Sequence, residues 1–174
     1  KKNFYHKFDL NSKNELLKIL KDKFLIISNP KFKEKADKFV TKLHFKALKE
    51  LNSDSEFDLI GFHGQTIFHN PHEKITNQLG DGKLLSQIVK KKVIYDFRQA
   101  DIQNNGQGAP LTPIFHRILS KKINQNFDIN FPIGFLNIGG IANVTKVIND
   151  SDNFQDNLSA FDIGPGNCLI DEWV

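Results

Sequence analysis

Apolar residues recur every three or four positions from Phe32 to Leu51, through Ala36, Phe39, Val40, Leu43, Ala47 and Leu48, with Lys and Glu between them. That spacing predicts a helix over 29–52 whose single apolar stripe covers a sheet. Ahead of it, SKNELLKILK (12–21) reads as a short helix, with Ser12 as N-cap and Glu15 at capping-box spacing. Downstream the pattern shortens. FDLIGFHG (57–64) reads as a buried strand and ITNQL (75–79) as a weaker one. DGKLLSQIVKKK (81–92) reads as a helix capped by Asp81, VIYDF (93–97) as a strand, and TPIFHRILSKKI (112–123) as a helix opened by Pro113. IGFLNIGGIANVTKVI (133–148) reads as two strands around a glycine turn, LSAFDI (158–163) as a strand, and NCLIDEWV as the start of a helix. Alternating strands and helices predict an α/β class. The stretch NQNFDINFP (124–132) is polar and holds a proline, which places an expected boundary near residue 130, between 1–130 and 131–174.

Composition narrows the picture. At 39% hydrophobic and 25% charged residues the chain can build a core and is no disordered segment. The net charge of +4 is modest, and the lysines alternate with acids, so solvated helix faces are expected and no nucleic-acid partner. The lone Cys168 excludes an internal disulfide. No apolar run nears the roughly 20 residues needed to span a bilayer, so no membrane partner and a cytoplasmic location are expected. With no Met, and ending at Val174 inside an apparent helix, the chain reads as part of a longer protein.

Ligands in open α/β sheets gather at the carboxyl ends of strands, so the polar turns that follow strands are the site candidates. GFHGQTIFHNP (61–71) crowds His63, Gln65, Thr66 and His69 at a strand exit. Gln and Thr suit the hydroxyls or amide of a sugar, although a turn satisfying its own backbone fits the same residues. Two histidines without a third ligand make a weak metal case, and no metal-ligand set is assigned. In YDFRQAD (95–101), Asp96 and Arg98 would share one face of a strand, either as an ion pair or as an arginine held to orient a substrate oxygen. In NNGQGAPLTPIFH (104–116), Gly106 and Gly108 allow close backbone approach while Pro110 and Pro113 stiffen the helix entry. NIGGIANVT (137–145) is either a plain hairpin or a turn whose N–H groups cradle phosphate. FDIGPGN (161–167) sets a lone carboxylate, Asp162, before a second glycine turn and a helix start, with Asn167 as candidate N-cap. Neither turn continues into Gly-Lys-Ser/Thr, so neither is a P-loop, and the isolated Gly-x-Gly pieces do not make a dinucleotide fingerprint.

Taken in order, GFHGQTIFHNP, DFRQAD, GQGAPLTPIFH, LNIGGIANVT and FDIGPGN closely resemble the anhydro-N-acetylmuramic acid kinases. These are bacterial enzymes of peptidoglycan recycling, in the superfamily of sugar kinases, heat-shock ATPases and actin. The resemblance runs from about residue 57 to the end, and the earlier residues match only as helix. It implies an actin-like ATPase (ribonuclease H-like) fold with a mixed sheet flanked by helices and two lobes, ATP lying between them with Mg2+. It implies that water opens the 1,6-anhydro ring while O6 takes the γ-phosphate. O6 is an ether oxygen without a proton, so the water is what needs a base, and the family puts that duty on the residue that is Asp162 here. By the same resemblance Gln65, Thr66, Arg98 and Asp101 bind the sugar, with Asp96 supporting Arg98. Gly139, Gly140, Asn143, Gly164 and Gly166 face the nucleotide phosphates. Residues 1–130 would be the remainder of the sugar-side lobe and 131–174 the start of the second. The family's Gly-Thr-Ser-x-Asp-Gly type loop and the rest of the second lobe are absent, so the fold is expected to be incomplete and the chain alone inactive. Cys168 stands where a larger apolar residue is expected. An actin-like ATP-binding module and a truncated remnant remain as alternatives. A sugar kinase alone has use for His63–Gly64–Gln65–Thr66 and Arg98. The sequence leaves oligomeric state open, a homodimer included.

Overall fold

A computed structural model describes residues 4–51, 57–151 and 157–173, without the side chain of residue 172. Asn52 and Val174, read above as helical, lie outside the described residues. The chain forms two compact units that divide between Gly108 and Ala109.

Unit 1 opens with α1 (Leu10–Lys21), α2 (Lys23–Ser28) and α3 (Pro30–Leu51). The first helix starts earlier than expected because Asp9, not Ser12, caps it. The Asp9 carboxylate accepts the Ser12 N–H at 2.8 Å and the Ser12 hydroxyl at 2.9 Å. Those bonds hold the Asp9 carboxyl below its usual range. The apolar stripe of α3 turns inward as the spacing requires: Ala36 and Val40 join Ile19, Ile26, Ile67 and Leu79 in one core. Burying each of the larger side chains contributes roughly 1.5–3 kcal/mol. The second helix, unexpected from sequence, serves to bring Ile26 into that core.

Strand β1 (Leu59–Phe62) runs parallel to β4 (Lys92–Tyr95). Strand β2 (Gln65–Asn70) runs antiparallel to β3 (Ile75–Leu79), the two linked by a 3-10 turn at Pro71–Glu73. Residues 65–70 are therefore strand, where the sequence suggested a polar turn; Ile67 points to the core from a bulge between Thr66 and Phe68. Helix α4 (Gly82–Val89) carries the expected Asp81 cap, whose carboxylate accepts the Leu84 N–H at 2.9 Å. The loop before it is pinned to α3: Asp37 accepts the Gly80 N–H at 3.0 Å and the Thr41 hydroxyl accepts the Asp81 N–H at 2.8 Å. After β4 the chain does not stay extended to residue 97. Asp96 adopts a left-handed conformation (φ 62°), which Asp tolerates better than most residues, and α5 (Phe97–Gln103) follows at once.

Unit 2 comprises α6 (Pro113–Phe127), β5 (Ile133–Ile138), β6 (Ile141–Val147), β7 (Leu158–Pro165) and α7 (Cys168–Trp173). The strands make one antiparallel sheet in the order β5-β6-β7. The unit begins well before the boundary expected near residue 130, because α6 belongs to the sheet it covers. The His116 ring lies flat on Phe135, centroids 4.6 Å apart, and its Nδ1 is 2.8 Å from the buried Thr145 hydroxyl. Burial pushes the His116 pKa down. The other sheet face leaves Leu136, Ile138 and Phe161 exposed. Among the described residues no helix is long and apolar enough to cross a membrane.

Candidate functional site

A cavity of about 300 Å³ opens in unit 1 at the carboxyl ends of the parallel strands β1 and β4, where α/β sheets bind ligands. Phe62, His63 and Gly64 line it after β1, and Tyr95, Asp96 and Gln99 after β4. Strand β3 and its exit add Thr76, Asn77, Gln78 and Gly80, and α3 adds Lys33. The lining is rich in neutral amides and hydroxyls, as a polyhydroxylated ligand requires. The left-handed turn at Asp96 explains its place: its carboxylate makes no capping bond to α5 and faces the cavity instead.

The sugar-side candidates read from sequence stand beside this cavity rather than in its lining. Arg98, half-buried on α5, donates through Nε to His63 Nε2 at 2.9 Å and through a terminal nitrogen to the Gly108 carbonyl at 2.7 Å. Its partner is thus His63, not Asp96, because Asp96 and Arg98 do not lie on a strand. Burial lowers the guanidinium pKa, though it stays charged. Since Arg98 can only donate, His63 Nε2 must accept, which puts the ring proton on Nδ1, 3.0 Å from the Gly64 carbonyl. Both ring nitrogens of His63 are therefore engaged. Asp101 accepts the Gly108 N–H at 2.6 Å. Arg98 and Asp101 together clamp the left-handed Gly108 (φ 67°), where a Cβ would meet Ile102 at 2.8 Å. On β2, Gln65 is exposed and donates to the Thr66 carbonyl at 3.2 Å, while the Thr66 hydroxyl lies 3.5 Å from the Gln78 amide. Through Gln78, Thr66 braces a residue that does line the cavity.

In unit 2 the register sets Asn137 opposite Asn143 and Asn143 opposite Asp162. Three polar side chains thereby share one row across the sheet at its turn end. A bulge follows, since Ala142 pairs with Gly164 and leaves Ile163 unpaired. The two glycine turns then interlock. The N–H groups of Gly166, Asn167 and Cys168 donate to the carbonyls of Gly140, Gly139 and Gly140 at 2.9, 2.7 and 3.3 Å. A Cβ on Gly166 would sit 2.1 Å from the Gly139 oxygen, so only glycine fits. Asn167 starts α7 through its carbonyl, which accepts the Asp171 N–H at 2.9 Å, but its side chain donates to Ile138 at 3.0 Å rather than capping. The N–H groups of residues 166–168, expected to hold an anion at the entry to α7, are thus already bonded. Among the described residues no carbonyl accepts from the Gly139 or Gly140 N–H. Asp162 is exposed, and among the described residues nothing donates to it.

Sequence reasoning gave Asp96 only the support of Arg98, left His63 without a defined role, and passed over Lys33, Asn77, Gln78 and Gln99. Amide side chains alternating along ITNQL beside a strand-exit glycine were the available signal. Among the described residues no group of three His, Cys, Asp or Glu side chains could cage a metal.

Comparison with known proteins adds a second line. The family model of anhydro-N-acetylmuramic acid kinase matches residues 13–174. A protein of that name from Pelagibacter ubique is 58% identical over 137 residues, which is 78% of this chain and 35% of that protein. Proteins of the same name from Methylobacterium nodulans and Rhodopseudomonas palustris are 46% and 40% identical, each over 144 residues and 80% of this chain. The chain spans 35% to 37% of the length of these relatives.

Proposed function

The chain belongs to the anhydro-N-acetylmuramic acid kinase family, kinases of the actin-like ATPase fold, and from that premise we propose the division of labour it carries. Unit 1 holds the sugar and unit 2 supplies the base and the phosphate-binding turn of an enzyme that converts 1,6-anhydro-N-acetylmuramic acid and ATP to N-acetylmuramic acid 6-phosphate and ADP. This chemistry belongs to cell-wall recycling in the cytoplasm.

Asp162 takes a proton from water as the water oxygen bonds to C1 of the sugar. The C1–O6 bond breaks toward O6, which attacks the γ-phosphorus of ATP as the bond to ADP breaks. Base catalysis of this kind contributes roughly 10²–10⁴-fold. The observation that carries the reading is the exposed Asp162, to which nothing donates among the described residues, in a row with Asn143 and Asn137. It lies beside a glycine turn whose Gly139 and Gly140 N–H groups have no acceptor among the described residues and can face phosphate oxygens. Gly164 shapes that turn and Gly166 locks it, the Gly166 N–H being spent on the Gly140 carbonyl and not on phosphate. Gln65, Thr66, Arg98 and Asp101 act on the sugar by positioning the cavity wall. Mg2+, when bound with ATP, would shield the phosphate charge and would be held largely by phosphate oxygens and water.

Turnover of the enzyme in 18O-water tests the reading. The label must appear on the C1 hydroxyl and phosphate on O6 in equal amount. Phosphate transfer without label at C1 would overturn the mechanism. ADP release indifferent to the anhydro-sugar would favour an actin-like ATPase module.

A further inference from the structure

We propose that Lys33 binds the lactyl carboxylate of the substrate and so selects anhydro-muramic acid over anhydro-glucosamine sugars. The inference rests on the cavity of unit 1 being the sugar site. N-acetylmuramic acid differs from N-acetylglucosamine by one lactyl ether, which ends in a carboxylate ionised at neutral pH. A site that favours the acid needs a cation within reach of that group. Among the described residues lining the cavity, Lys33 carries the single fixed positive charge. Both ring nitrogens of His63 are engaged, by Arg98 and by the Gly64 carbonyl. Asp96, the lining carboxylate, would repel the acid and suits a sugar hydroxyl instead.

The setting of Lys33 is that of a held group, not a loose surface charge. Its Nζ donates to Asp37 at 2.7 Å, and the other oxygen of Asp37 accepts the Gly80 N–H at 3.0 Å. The Asp37 side chain is 16% exposed and that of Lys33 38%, so the carboxylate is fixed and the ammonium still reachable. The neighbouring pair Lys38–Glu34, at the same helical spacing, is 53% and 64% exposed and lines no part of the cavity. An ammonium has three donors, and the bond to Asp37 uses one, which leaves two for an incoming carboxylate.

The chain is titrated, by ligand-observed NMR, with 1,6-anhydro-N-acetylmuramic acid and with 1,6-anhydro-N-acetylglucosamine. The acid should bind about tenfold more tightly, the scale of one hydrogen bond to a charged group. Lys33→Met and Lys33→Gln should remove that preference and leave the neutral sugar's affinity unchanged, while Lys33→Arg should retain most of it. Equal affinity of the unsubstituted chain for both sugars overturns the proposal without any variant. So does an equal loss for both sugars in Lys33→Gln, which would mark a purely structural role. If neither sugar binds, the cavity is not the sugar site and the underlying reading fails with it.

Discussion

In unit 1 the guanidinium of Arg98 is engaged on two sides, by His63 and by the Gly108 carbonyl, and Asp101 is engaged with the Gly108 N–H. In unit 2 Asp162 stands exposed on β7 with no donor among the described residues. The first arrangement stabilises a cavity wall through the chemistry-bearing residues themselves. The second leaves a carboxylate that the fold does not need. Substitutions in the first region should therefore register as stability and binding together, and at Asp162 as turnover alone. Active sites commonly make this trade, keeping reactive groups where they add little to the folded state.

The sharpest way to break the comparison is Asp162→Asn in the enzyme. Turnover should fall by roughly 10²–10⁴-fold, the range for a lost general base, while the melting temperature of the protein stays where it was. A parallel loss of melting temperature would make Asp162 structural, and undiminished ADP release would remove it from the chemistry. Next in size is Gly166→Ala, which places a methyl 2.1 Å from the Gly139 oxygen. Overpacking of that kind should cost about 1–3 kcal/mol in chemical denaturation, showing that unit 2 does have a structurally critical point four residues beyond its carboxylate. In unit 1, Asp101→Asn weakens the acceptor of the buried Gly108 N–H and should cost about 1 kcal/mol. It should also raise the KM for the sugar more than that for ATP; the reverse order would move this corner to the nucleotide.

The smallest effect concerns pH. Burial holds the His116 pKa below its ordinary value of about 6.5, so the unfolded chain binds the proton more readily. The stability from neutral His116 on Phe135 and Thr145 is complete above that value and is lost as pH falls through the folded pKa. Thermal melts of His116→Gln between neutral and mildly acid pH should show a flatter profile than the unsubstituted chain. An unchanged slope would assign the loss to other groups.

What could be read from sequence followed the reach of local signals. Helix α3, strand β3, helix α4 and the β5–β6 hairpin emerged from periodicity, an Asp cap and a Gly-Gly turn, each complete within a few residues. Helix α2 did not, because six residues give no full apolar period. Strand β2 was hidden by the polar Gln65, Thr66, His69 and Asn70, whose pairing with β3 is not a local property. The left-handed Asp96 turned an apparent strand into α5 and moved Arg98 to a partner 35 residues upstream. The cavity drew Lys33, Asn77 and Gln99 from three elements, and no short motif records a meeting of that kind.

The bonds from Gly166, Asn167 and Cys168 to Gly139 and Gly140 have a mechanical meaning. They rivet two loops of chain that are more than twenty residues apart in sequence into one plate, with a fourth rivet from the Asn167 side chain to Ile138. Any force that shifts the first loop is delivered undamped to the end of β7, and the carboxylate at its edge travels along.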